Sequence, residues 1–192
     1  LMSATVTAAP SAAHRRALRM TAPGRMEYEV MAEILHEFHR RRADMSYPPI
    51  VGSGPNSCVL HYRDNDRQMK DGELLLIDAG CEYQYYASDV TRTLPVGGRY
   101  GKRQRAVYEV VLEAQQAAIA KARAGGHWND PHEAAVGGDA TILADALRHD
   151  LRRGLGRCVH HLGARILMLT GARVRDRQHF ARGLRAHEVH RR

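Results

Sequence analysis

The stretch Leu74–Thr93, LLLIDAGCEYQYYASDVTRT, sets an aspartate inside the apolar run Leu74–Cys81, where an isolated charge is costly to bury. A second short strand pattern, Ala87–Thr93, contains Val90 and two threonines. Tyr83-Gln84 lies between the two runs and reads as the centre of a hairpin. That centre places Asp78 directly across from Asp89 on one face, with Cβ atoms about 5 Å apart. Two ionised carboxylates so close repel by about 3 kcal/mol at an effective dielectric of about 20, or about two pKa units. A divalent cation between them, or a pair of cations, relieves that repulsion. Two solvated carboxylates near a turn would need no such partner. The apolar neighbours of Asp78, Leu74–Ile77 and Ala79-Gly80, favour the ligand reading.

Helix and strand signals alternate around this hairpin. Leu1–Pro10 is weakly patterned and reads as a frayed start. Ser11 caps a short helix to Met20, ended by Ala22-Pro23-Gly24. Val30, Ile34 and Phe38 recur at four-residue steps, which predicts a helix over Met26–Arg42. Strands are expected at Ile50–Gly52 and Ser57–Tyr62, and Lys70-Asp71-Gly72 is a tight turn feeding Leu74. Pro95-Val96-Gly97-Gly98 breaks the sheet. Gln104–Arg123 carries one apolar face and stops at Gly125-Gly126. Asp130-Pro131-His132-Glu133 reads as a new helix start. The fold class that follows is α+β: antiparallel strands between Ile50 and Leu94, with the Met26–Arg42 and Gln104–Arg123 helices covering them.

Three segments then share a resemblance: Ser46–Asp66 (SYPPIVGSGPNSCVLHYRDND), Ile77–Tyr100 (IDAGCEYQYYASDVTRTLPVGGRY) and the helix QRAVYEVVLEAQQAAIAKA. Together they resemble the signature region of the Xaa-Pro aminopeptidases (aminopeptidase P). That family belongs to the creatinase and methionine-aminopeptidase superfamily with the pita-bread fold, and the match covers roughly Ser11–Val136. The resemblance implies two divalent metal ions, manganese first, with cobalt or zinc as alternatives. It assigns Asp78 as a chelating ligand and Asp89 as the bridging one. It places His61, in Leu60-His61-Tyr62, along the substrate site. The implied reaction removes the N-terminal residue of a peptide whose second residue is proline. The competing class is a non-catalytic pita-bread module that binds peptides or proteins.

After Val136 the sequence changes character, and Gly137-Gly138 interrupts the expected helix. All eight tyrosines precede Gly137; the remainder holds twelve arginines, no lysine and five acids, a surplus of seven positive charges. That leaves 17 basic and 16 acidic residues for 1–136, out of a net charge of +8. A basic recognition surface belongs with the chemistry; here the charge lies in a tail, so nucleic acid is not an expected partner. The expected organisation is the amino-terminal half of a pita-bread catalytic domain at 1–136. Residues 137–192 follow as a divergent, Arg-rich tail, such as a shift of reading frame or a terminal replacement would give. The family's remaining histidine and two glutamate ligands, and its general base, are assigned to no residue here. The expected product is truncated and weakly active or inactive, with exposed sheet surface favouring a homo-oligomer or low solubility. Three cysteines, an odd count (Cys58, Cys81, Cys158), without C-x-x-C spacing, no secretory leader and no membrane-length apolar run point to a cytoplasmic protein. His36-Glu37-Phe38-His39 and His187-Glu188-Val189-His190 are each one residue short of the H-E-x-x-H zinc pattern and are set aside, Glu37 as a water-facing residue.

Overall fold

In the computed structural model, which describes residues 2–136, Ala9, Ala13 and Ala17 recur at every fourth position of helix α1 (Met2–Met20). All three have no solvent exposure and share one core cluster with Val30, Ile34 and Phe38 of α2 (Glu27–His39). α1 begins well before Ser11 and runs through Pro10, correcting the expected frayed start. A proline lacks one N–H and costs an interior helix bond, but packing of an apolar face supplies most of a helix's stability. The buried alanine face outweighs the missing bond. Arg42, with φ +58°, closes the turn after α2.

Six strands follow among the described residues: β1 (Asp44–Met45), β2 (Ile50–Ser53), β3 (Leu74–Asp78), β4 (Cys81–Tyr83), β5 (Tyr86–Ala87) and β6 (Thr91–Pro95). They form two antiparallel sheets, ordered β2-β3-β6 and β1-β4-β5. The expected Leu74–Cys81 strand therefore divides at Ala79-Gly80, where the long hairpin passes from one sheet to the other. Gly80 permits the crossing. A Cβ there would collide with the Ser88 carbonyl oxygen and lie 2.7 Å from Ser46 Oγ. Leu75 and Ile77 face the shared core; Leu76 and Asp78, also buried, lie on the opposite face by alternation.

The hairpin turn is Gln84-Tyr85, both at positive φ (51° and 68°), between the paired Tyr83 and Tyr86. That is the type I′ pattern. The centre lies one residue later than expected, so Asp78 pairs with Thr91 rather than Asp89. The pairing slips by two positions, and side chains alternate with period two, so both aspartates stay on one face.

No strand forms over Ser57–Tyr62. Gly54–Cys58 is a 3-10 helix with Pro55 in its first turn, and residues 59–61 are turn and bend. The cause is a buried carboxylate. Glu27, at the start of α2, accepts hydrogen bonds from Ser53 N (2.6 Å), Ser53 Oγ (2.7 Å), Asn56 Nδ2 (3.3 Å), Tyr62 Oη (2.7 Å) and Arg67 N (3.3 Å). Gathering those donors around one point curls the segment that would otherwise extend. Arg67 then clamps Glu73 with two bonds of 2.6 Å at the entry to β3.

The chain divides into compact units at Leu1–Gly101 and Lys102–Arg192. The second contains α3 (Lys102–Lys121), Gly125 at φ +78°, and helical backbone over 130–136, with Ala114, Ala118 and Ala135 clustered. The expected tail, 137–192, lies outside the described residues. Among the described residues no helix is long and apolar enough to cross a membrane. The α+β class stands.

Candidate metal centre

Asp78 ends β3 and is 7% exposed. Asp89 lies on the return limb, two residues before β6. Their carboxylates converge on one group, the phenol of Tyr47. Tyr47 Oη lies 2.7 Å from Asp78 Oδ1 and 3.1 Å from Asp89 Oδ1. Thr91 Oγ1 also donates to Asp78 Oδ1, at 2.9 Å.

The backbone around Tyr47 explains its placement. Ser46 N donates to the Gly80 carbonyl (3.1 Å) and Ser46 Oγ to the Ser88 carbonyl (2.7 Å), which pins the segment across the hairpin kink. Pro48 then confines Tyr47 to extended backbone.

A phenol has one proton to give, so Tyr47 donates to one of the two carboxylates at a time. Burial first, then the charges of Asp78 and Asp89, then the two hydrogen bonds push the Tyr47 pKa far above its ordinary value. Tyr47 therefore stays protonated and meets both carboxylates as a neutral donor. Two hard carboxylate oxygens brought to one point fit a divalent cation. Among the described residues no third His, Cys, Asp or Glu joins them in a group that could hold a metal. The fit is that of part of a carboxylate-rich centre.

His61 is not brought to this pair. It is exposed, at φ +54°, in the turn that follows the 3-10 helix rather than on a strand. Cys81 is buried beside the kink, where burial pushes its thiol pKa up and Ser88 Oγ lies 3.7 Å from the sulfur. Cys58 is half-buried; both are free thiols. Glu37 is buried, not water-facing, because Arg40 and Arg41 meet it (3.5 and 2.7 Å). Tyr47 is the participant that sequence reasoning missed. It is 31 positions from Asp78, and no periodicity links them. The only local signal is a tyrosine held extended by the proline that follows.

Over residues 5–181 the chain matches the model of metallopeptidase family M24. The Xaa-Pro aminopeptidase of Haemophilus influenzae is 53% identical over 107 residues, covering 55% of this chain and 25% of the relative. The Xaa-Pro aminopeptidase of Escherichia coli is 50% identical over 114 residues, 59% of this chain and 26% of the relative. Among solved structures, aminopeptidase PepP of Pseudomonas aeruginosa superposes with a TM-score of 0.72 at 43% identity. It covers 84% of this chain and 36% of that one. Zinc-substituted E. coli aminopeptidase P in complex with product gives 0.68 at 41% identity, covering 75% and 32%. The chain thus spans about a quarter of the length of these curated relatives.

Proposed function

The chain belongs to metallopeptidase family M24 and shares the pita-bread fold of its aminopeptidase P neighbours; from that premise we propose that Asp78 and Asp89 are metal ligands of an Xaa-Pro aminopeptidase centre. The convergence of both carboxylates on the Tyr47 hydroxyl carries the reading. Residues 1–136 are the amino-terminal half of the catalytic domain and 137–192 a divergent tail. Asp78 and Asp89 would hold a pair of divalent cations, with manganese as the metal and cobalt or zinc as substitutes.

When bound, such a pair lowers the pKa of a shared water and polarises the scissile carbonyl. The chain's own side chains prepare the place. Tyr47 and Thr91 both donate to Asp78 Oδ1, which fixes the rotation of that carboxyl group. Tyr47 keeps its proton and acts as a donor, not a ligand anion. His61 lines the path of a peptide whose second residue is proline. Free thiols at Cys58 and Cys81 are consistent with a cytoplasmic setting. The curated relatives are named as aminopeptidases, so the non-catalytic binding-module alternative is not favoured.

Two carboxylates alone make a weak, solvent-competed site, and a shared water without its base loses about 10²–10⁴-fold in rate. The 192-residue chain is therefore expected to hydrolyse an Xaa-Pro peptide with manganese at a small fraction of the rate of a chimera. In that chimera an intact family carboxyl-terminal half replaces residues 137–192. Asp89→Ala in the chimera abolishes its turnover. An active chimera indifferent to Asp89→Ala refutes the ligand assignment. Strong manganese-dependent turnover by the 192-residue chain, lost in Asp78→Ala, keeps the assignment and refutes the expected deficit.

A further inference from the structure

Away from the carboxylate pair, five arginines surround one groove. Arg15, Arg16 and Arg19 of α1 and Arg40 and Arg41, just beyond α2, line a groove of about 270 Å³ together with Ala12 and Glu37. Glu37, whose side chain is 4% exposed, is the anchor: it takes Arg41 Nη2 at 2.7 Å and Arg40 Nη1 at 3.5 Å. Arg41 Nε is buried without an acceptor among the described residues. Arg16 pairs with Glu33. Among the described residues no acid pairs with Arg15 or Arg19. Five guanidiniums against Glu33 and Glu37 leave three positive charges in surplus.

The helix dipole accounts for cations near the last turns of α1 and α2, which covers Arg19, Arg40 and Arg41. It does not account for Arg15, nor for five guanidiniums converging on one groove. Like charges so gathered repel, as the two carboxylates do elsewhere in the chain.

We propose that this groove binds an oligophosphate carrying about three negative charges, either free pyrophosphate or the polyphosphate of a nucleotide. Three features select that chemistry. Guanidinium forks match phosphate oxygens two at a time. The lining offers only Ala12 as apolar surface, so no hydrocarbon body packs there. The volume falls just below the roughly 300–1,000 Å³ of sites for drug-sized ligands, which suits a compact anion and excludes a nucleic-acid strand.

The test is isothermal titration of the full 192-residue protein with sodium pyrophosphate and, separately, with ATP. Divalent metal is removed, so that Asp78 and Asp89 recruit no phosphate through a cation, and salt is held at about 0.15 M. Wild type binds one pyrophosphate per chain, and ATP within about tenfold of the same affinity. The double variant Arg15→Ser/Arg19→Ser binds both at least about tenfold more weakly, and each single variant shows part of the loss. Both side chains are outside the buried core and the tail arginines stay intact, so an unchanged melting temperature certifies the fold. Equal binding by wild type and double variant overturns the proposal by assigning the affinity to the tail or to net charge. ATP binding without pyrophosphate binding also overturns it, as does no saturable pyrophosphate binding up to about 5 mM.

Discussion

Glu27 is fully buried, yet five neutral donors from Ser53, Asn56, Tyr62 and Arg67 meet its charge. Asp78 and Asp89 meet at the phenol of Tyr47, and Thr91 also donates to Asp78. The contrast is between a carboxylate ringed by neutral donors and a pair that meets at one phenol, the pair proposed above as metal ligands. Asp78 was legible because an acid interrupts an apolar run; Glu27 was not, because its donors come from as far as Arg67 and helix starts are commonly acidic. His14 makes the residue scale testable. Burial lowers its pKa below the ordinary value; the Arg92 charge adds to this, while the Pro10, Val90 and Ile77 carbonyls oppose it. The unfolded chain then binds the proton more readily than the folded one. This contribution to stability is complete above about pH 6.5 and is lost as pH falls towards the folded-state value. Thermal melts stepped from about pH 7.5 to pH 5 should show a decline that is shallower in His14→Gln, and parallel profiles would remove His14 as its source.

The β4–β5 hairpin shows why elements were less legible than single residues. Gln-Tyr carries no turn signature, so its centre was read one residue early. Yet Gln84 and Tyr85 both occupy the left-handed region, where a non-glycine residue costs roughly 1–2 kcal/mol. Replacing the pair by Asn-Gly, the pair that type I′ turns prefer, should raise unfolding stability by about 1–2 kcal/mol. The check is a higher denaturant midpoint at unchanged slope; an unchanged midpoint would mean the turn stores no strain. The Ser57–Tyr62 error has a different origin. Cys58-Val59-Leu60 has the composition of a strand, but Glu27 recruits donors from both sides of it. Local pattern contains no trace of a distant acceptor. At α1 the error ran the opposite way, Ser11 being taken as a helix cap where the chain before it is already helical.

Charge is divided unevenly over the whole molecule: a surplus of seven lies from Gly137 onward, and residues 1–136 are nearly neutral at +1. The α+β class and the shared face of the two aspartates were legible in the sequence because alternation with period two carries both, although Asp78 pairs with Thr91 and not with Asp89. The turn centre and Tyr47 were not legible, since neither leaves a periodic mark. Metal binding is the molecule-wide test of that reading. Manganese at about ten times its dissociation constant stabilises the folded state by about 1.4 kcal/mol, a rise in melting temperature of about 3–6 °C. Asp78→Asn should erase that rise, and an equal rise in the variant would locate the metal elsewhere, among the tail histidines for example. The kink at Gly80 and the slipped register carry one more consequence, about how such a hairpin can evolve. Because alternate residues face alternate sides, a single insertion or deletion between Asp78 and Asp89 would turn one carboxylate to the wrong side unless a bulge absorbed it. Paired changes, one residue in each limb, would leave both in place. The length of this hairpin is therefore free to drift only in even steps, a parity rule that sequences of working relatives should obey.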